Sequence, residues 1–377
     1  MTTHVFVVDI NTFKYHLEYM FAGTGAKEKQ STFLLNSNIS FNATTERMLV
    51  GMIADISKIR IGDNIIFYLQ ASNGTPGMFF GVFKAESLPF FDENDDQNYL
   101  VNKLCKGLSF RILISAKTVY SKGITEHEYL DSLKGKNHPA DLCWSLIYRK
   151  LKANRGCTMI MDYEFDDLLE KLKEKNNNIA IDSTRFTFNT ETKKIEAHNE
   201  ELVYSGRQLK INIKDRLIFK FGRRNAFETH LQSYLTQNFD SDRYKDILLP
   251  ISNGDVWVGN EVSCGVGMQR IDLMFKQETE TEIFIKLVEL KEEKPYRDIV
   301  DCQIPWYLEW LSYYVIPKYT NKKIHVIPCI IAKGEPSDAL KKHFAEFSFD
   351  IKNVDVASLE YIGFSIENDD IKLVKYL

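Results

Sequence analysis

Glu289 and Lys291 stand two apart in the run EIFIKLVELK, and four further residues can be set around them. Asp272 lies 17 positions earlier in RIDLMF. Glu228 opens NAFETHLQSYL, and Gln303 and Tyr307 follow in QIPWY. Three carboxylates and a lysine suit metal-assisted phosphodiester hydrolysis. A hard cation such as Mg²⁺ takes carboxylate oxygens, water and substrate phosphate as ligands. The reaction needs a polarised phosphate, an acidified water and positive charge near the developing oxyanion.

For that chemistry the chain must bring distant residues together. On a strand, alternate residues share a face, so Glu289 and Lys291 point the same way. In RIDLMF the apolar Ile271, Leu273 and Phe275 take one face and Asp272 the other. If these two strands pair, Asp272 meets Glu289 across the ladder, with side chains roughly 5 Å apart. Two carboxylates that close repel unless a cation lies between them. Each piece also has a plainer reading. A strand ending in Glu and Lys is common. Asp272 alone could be a solvated strand residue, and Asn225 with Glu228 has the spacing of a helix capping box.

From about residue 216 the pattern runs helix (NAFETHLQSYLTQNF), strands (RIDLMFK, EIFIKLVELK), helix (WYLEWLSYYVI) and strand (KIHVIPCIIAK). This is α/β organisation around a central sheet. Before it, STRFTFNTETKKIEAHNEEL alternates about a turn, as a hairpin does. The polar run KEKNNN marks a boundary near 174–180. The first segment, 1–175, mixes short strands and helices. HVFVVDI opens as a strand, and ERMLVGMIADISKI has helical spacing that sets Met48, Ile53 and Ile56 on a buried face. GDNIIFYLQ and GMFFGVFKAES read as a strand and its return across the turn NGTPG, and FRILISAKTVY as a further strand. DYEFDDLLEKLKEK is helical. The expected division is therefore 1–175, a hairpin or linker over 176–215, and 216–377.

Composition fits a soluble globular chain with two cores: 377 residues, 44% hydrophobic and 27% charged. The six cysteines are scattered, with no CxxC pair. A disulfide framework is not expected, and a reducing, cytoplasmic setting is. MTTHVFVVDIN does not read as a signal peptide, and no run is apolar enough to span a bilayer. A net charge of −4 argues against nonspecific coating of nucleic acid. It leaves room for an enzyme with local basic clusters. One such cluster is Arg149, Lys150, Lys152 and Arg155 in WSLIYRKLKANRGC, interleaved with Trp144 and Tyr148. It suits a phosphate-contacting helix end, or equally a solvated basic face. Lys220, Arg223 and Arg224 stand just before Glu228 and could steer a phosphate.

The ordered set of helical Glu, strand Asp after CGVGMQ, E-L-K strand and Q-x-x-x-Y resembles the PD-(D/E)XK nucleases, in particular their RecB-like and NucS-like branch. The resemblance covers about 220–335 and implies a restriction-endonuclease-like αβββαβ domain. It implies Glu228, Asp272 and Glu289 as ligands of Mg²⁺, with Mn²⁺ substituting, and Lys291 orienting water. Gln303 and Tyr307 would support the site or contact DNA. Two departures stand out. Ile271 precedes Asp272 where the family name has proline. Pro305 would start the helix near Ile304 and leave Gln303 ahead of it.

In the first segment, a helix followed by Gly62, Asp63, Phe67 and Tyr68, then Gly77 and Gly81, resembles the PUA-like superfamily with its EVE and YTH-type readers of modified bases. That implies a β-barrel with helices and a pocket for a flipped nucleotide. Tyr68, Trp144 and Asn42 are its candidate residues, Trp144 equally plausible as core. Together the two resemblances imply an Mg²⁺-dependent endonuclease on double-stranded DNA, modified or not. It would be a homodimeric restriction enzyme dependent on base modification or sequence. One rival is a NucS-like structure- or mismatch-specific repair nuclease whose first half has no base pocket. Another is a non-cleaving nucleic-acid-binding protein with a relic nuclease domain.

Overall fold

The computed structural model describes residues 1–25, 43–72, 74–92, 99–131, 156–224, 226–264, 269–293, 295, 297–319 and 321–377. They fall into two compact units, which divide between Asn212 and Ile213.

The first unit is mixed α/β. In chain order it holds β1 (Thr3–Val8), α1 (Ile10–Glu18), β2 (Phe21–Thr24), α2 (Ala43–Ser57), β3 (Asn64–Leu69), β4 (Met78–Ala85), β5 (Phe90–Phe91) and α3 (Val101–Leu104). Next come β6 (Phe110–Ala116), β7 (Ile124–Thr125), α4 (Glu126–Asp131), β8 (Cys157–Ile160), α5 (Asp162–Lys175), β9 (Phe186–Asn189), β10 (Lys194–Ala197) and β11 (Leu209–Lys210). The main sheet runs β11-β5-β6-β4-β3-β1-β8, with β2 on β6 and β7 on β4. One end of β6 pairs with β2 and β5 and the other with β4, which curls the sheet into a half-barrel. Among the described residues of this unit, only β1 and β3 pair in parallel.

Local chemistry explains the elements that shape this sheet. Asp9 caps α1, its carboxylate accepting the Asn11 and Thr12 N–H groups at 2.9 and 3.0 Å. Phe13 of α1 then enters an aromatic core with Phe67, Phe80 and Phe188, ring centroids about 5 Å apart. Gly62 takes φ +96°, which favours glycine. Next to it, the Asp63 carboxylate accepts the backbone N–H groups of Thr2 and Arg60, both at 2.9 Å, and bonds His4 at 3.0 Å. The glycine–aspartate pair thus fastens the start of β3 to β1.

Three expectations are corrected here. In α2 the buried residues include Leu49, Ile53 and Ile56, while Met48 is 54% exposed. Apolar residues at both 48 and 49 leave the helix phase open by one position, a rotation of about 100°. The segment expected as a linker belongs to the first unit through Asn212. Its hairpin β9–β10 buries Phe186, Phe188 and Ile195, and Thr187 donates to Glu18 of α1 at 2.7 Å. Lastly, Tyr68 is core: 1% exposed, its ring against Phe79 and its hydroxyl donating to Glu126 at 2.8 Å. Asn42, Trp144, Arg149, Lys150, Lys152 and Arg155 lie outside the described residues.

The second unit begins with α6 (Lys214–Gly222), α7 (Glu228–Asn238) and α8 (Lys245–Leu248). It continues with β12 (Val256–Ser263), β13 (Arg270–Glu278), β14 (Glu282–Leu290), α9 (Ile304–Tyr314) and β15 (Lys323–Lys333), then α10 (Asp338–Ala345), β16 (Val354–Val356), β17 (Glu360–Glu367) and β18 (Asp370–Lys375). The sheet order is β12-β13-β14-β15-β17-β18, with β16 on β15. The meander β12–β13–β14 is antiparallel, and β14 pairs β15 in parallel. A parallel neighbour requires a crossover, which α9 supplies. From α7 to β15 the order, apart from the single-turn α8, is α–β–β–β–α–β. The sequence pattern had shown only β13 and β14 of the meander; β12 precedes them.

Candidate active site

β13 and β14 set the acids. Their register runs from Glu278–Ile283 to Leu273–Val288, so the next rung faces Asp272 toward Glu289. The Asp272 carboxylate accepts the Leu290 N–H there, at 2.7 Å. Ile271 and Leu273 are fully buried on the opposite face, which fixes the register.

Glu289 is 2% exposed and held from three directions. Gln303 Nε2 donates to its Oε1 at 2.7 Å, and Lys291 Nζ pairs with the same oxygen. The Tyr307 hydroxyl lies 2.8 Å from Glu289 Oε2 and 2.8 Å from the Arg270 carbonyl, with one proton to give. Gln303 and Tyr307 do share a face, since Gln303 Nε2 reaches the Tyr307 oxygen at 2.6 Å. The reason is local. A π-helical turn over Ile299–Gln303 leads without a break into α9, with Pro305 the second residue of α9. The helix does begin at Ile304, but Gln303 already has helical dihedrals.

Glu228 occupies the first position of α7. The plainer capping-box reading would need Glu228 at the third helical position, which it does not hold. Phe227 precedes the helix without a side-chain cap, and Asn225 lies outside the described residues. The Glu292 carboxylate takes over, accepting the Phe227 and Glu228 N–H groups at 3.0 and 3.1 Å. An acid beside the positive end of a helix is favourable. Glu292→Ala should therefore cost about 1 kcal/mol of stability, read as a lowered midpoint in denaturant unfolding of the whole chain. One turn further on, Gln232 donates to the Asp272 carbonyl at 2.9 Å and ties α7 to β13.

The electrostatics bind these residues into one site. Burial pushes the Asp272 carboxyl well above the carboxylate range; Glu289 and Glu228 push it further, against the pull of the Leu290 N–H. Burial also raises Glu228, opposed by Lys291 and reinforced by Glu289, Glu292 and Glu261. Burial pulls Lys291 down, but Glu289 beside it, with Glu228 and Asp272, leaves its ammonium above the ordinary value. Burial and Glu289 hold Tyr307 protonated.

The donor set fits a hard cation, since two carboxylates with water and phosphate satisfy magnesium. The expected three-acid ligand set is not assembled. Among the described residues no three His, Cys, Asp or Glu side chains converge on one point. Asp272 and Glu289 occupy facing positions across the β13–β14 pair. Glu228, at the start of α7, stands near enough to feel both. Arg223 and Arg224 close α6, both exposed, with the Arg223 guanidinium 4.6 Å from the Phe219 ring centre.

Sequence reading missed Gln232, Glu292 and Glu261. The β12–β13 register places Glu261 between the pairs Asn260–Leu273 and Val262–Ile271, hence opposite Asp272. The i, i+4 spacing of Glu228 and Gln232 was the one local clue.

Among the described residues no helix is long and apolar enough to cross a membrane. No protein-family model and no curated protein matches the chain. Among solved structures it is similar to a hypothetical protein from Leishmania major (8% identity, 46% of this chain and 96% of that one, TM-score 0.29). It is also similar to human THYN1 in complex with 5-methylcytosine-containing DNA (10% identity, 46% and 98%, TM-score 0.25). A third is the YTH domain of Zygosaccharomyces rouxii MRB1 in complex with N6-methyladenosine RNA (15% identity, 45% and 86%, TM-score 0.24). At these TM-scores the likenesses assign the chain to no family.

Proposed function

We propose that the second unit is a divalent-metal-dependent DNA endonuclease of the PD-(D/E)XK type, and that the chain acts as a homodimeric restriction enzyme dependent on base modification or sequence. The observation that carries this is the setting of Glu289. A carboxylate 2% exposed, fastened by Gln303, Tyr307 and Lys291, stands across the strand pair from a second acid held well above its ordinary range. Buried acids left to repel one another mark a site built for a cation rather than for stability. The order from α7 to β15, α–β–β–β–α–β once the single-turn α8 is set aside, agrees with that reading.

A bound Mg²⁺ or Mn²⁺ would supply charge neutralisation at the phosphate and an acidified water. Asp272 and Glu289 would hold it, with Glu228 reaching it through water. Lys291 sits on the same strand face as Glu289 with its side chain 28% exposed, so its ammonium can meet both an attacking water and a phosphate oxygen. Gln303 and Tyr307 touch no substrate in this scheme; they hold the Glu289 carboxylate in one orientation. Arg223 and Arg224 would contact flanking phosphates.

One observation favours the repair-nuclease alternative. Tyr68, the one described candidate for stacking a flipped base, is buried and bonded to Glu126, so it offers no face to a nucleotide. The test is digestion of a panel of unmodified, base-modified and mismatched duplexes, with Mg²⁺ or with chelator. Mg²⁺-dependent cutting of modified duplexes is expected, and preference for mismatches would move the reading to repair. No cutting of any substrate with Mg²⁺ or Mn²⁺ would overturn it.

A further inference from the structure

Beside the acids lies a cation that the foregoing mechanism does not use. Arg270 is the first residue of β13, two before Asp272, and therefore on the same face of the strand. Ile271 between them is fully buried on the other face. The guanidinium is not loose. Its Nη1 donates to Glu261 Oε2 at 2.6 Å, and the two side chains are 35% and 21% exposed. Glu261 reaches it diagonally from β12, from the position opposite Asp272. The Arg270 backbone is fixed as well, because its carbonyl lies 2.8 Å from the Tyr307 hydroxyl and its strand position pairs with Ser263. Arg270 is thus tied to the residues that orient Glu289, and it shares the strand face that carries Asp272.

We propose that Arg270 is a phosphate-binding residue of this site and that Glu261 is its positioning residue, a carboxylate that holds the guanidinium beside the acids until a nucleic-acid phosphate takes it over. The inference rests on the nuclease reading and deepens it. A planar guanidinium suits two phosphate oxygens at once, which a lysine ammonium does not. In the free protein Glu261 pairs with it. A phosphate carries the same charge as the carboxylate it replaces, so the exchange conserves charge on Arg270. A partly exposed surface pair is weak enough to be exchanged in this way.

The test uses the whole protein with Ca²⁺ in place of Mg²⁺, and follows anisotropy of a fluorescein-labelled DNA duplex cut by the wild type. Binding is measured from low to high salt for wild type, Arg270→Ala, Arg270→Lys, Glu261→Gln and, as a control, Arg243→Ala. Arg243 is paired to Asp370 at 2.6 Å and has no part in the site. Arg270→Ala should weaken binding about tenfold and lower the salt slope by about one. Arg270→Lys should recover the slope but only part of the affinity. Glu261→Gln should bind at least as tightly as wild type, and Arg243→Ala should match wild type. If the wild type cuts DNA while Arg270→Ala keeps wild-type affinity and slope, this inference falls and the nuclease reading stands. If the wild type neither binds nor cuts DNA, both fall. Should Arg270→Ala merely unfold, Arg270→Lys carries the decision: full wild-type affinity in that folded variant would overturn the bidentate role.

Discussion

Asp272→Asn is expected to end cleavage and to stabilise the protein. The first effect follows from losing an anionic oxygen where an ion and a phosphate must be held, a loss on the order of 10³-fold in rate. The second follows from the pKa. Burial and the charges of Glu289 and Glu228 hold the Asp272 carboxyl well above its unfolded value. Between those two values the native state keeps a proton that the unfolded chain has released. Stability therefore falls as pH rises through that window. Asparagine has no such proton to lose. The variant should match the wild type in strong acid and exceed it in melting temperature at neutral pH, measured by thermal unfolding across pH. A variant less stable than wild type at neutral pH would show that the Asp272–Leu290 bond, and not charge repulsion, dominates that position.

The largest loss of stability is expected in the first unit, at Asp92→Ala. Arg111 is 0% exposed and its guanidinium lies 2.7 Å from Asp92, whose side chain is 2% exposed. Tyr204 joins them, its hydroxyl accepting from Arg111 at 3.0 Å and lying 3.1 Å from Asp92. Leu108 and Gly107 carbonyls accept two further guanidinium N–H groups. Burial pushes the Asp92 carboxyl up against the pull of Arg111, so the intact pair adds little to stability. Breaking it is another matter, because the partner charge stays buried. Asp92→Ala should destabilise by about 3–5 kcal/mol, seen as a lowered denaturant midpoint. The double change Asp92→Leu with Arg111→Met should recover much of that.

What could be read from the sequence depended on how local the cause was. β13, β14 and β15 announced themselves through alternation and β-branched runs, and the two-residue spacing of Glu289 and Lys291 gave their shared face. The pairing of β13 with β14 then brought Asp272 alongside. β12 hid because VWVGNEVS has glycine at its centre and acid near its end. Glu261 was invisible with it, since nothing in its own segment says which strand it will face. Glu292 caps α7 across 64 positions, a bond that only the fold can make. The glycine–aspartate pair at 62 and 63 was found, but its aspartate is engaged in joining two strands. Tyr68 was found as well, and a buried aromatic reads the same in sequence as one that lines a pocket.

The proposed role of Asp272 and Glu289 is to hold a divalent ion beside a scissile phosphate. Its most direct test is a calorimetric titration of the whole protein with Mn²⁺, comparing wild type with Glu289→Gln and Asp272→Asn. One ion per chain should bind to wild type with release of protons at neutral pH, and the binding should vanish in both variants. A wild type that takes up no ion, or variants that bind Mn²⁺ as the wild type does, would contradict it.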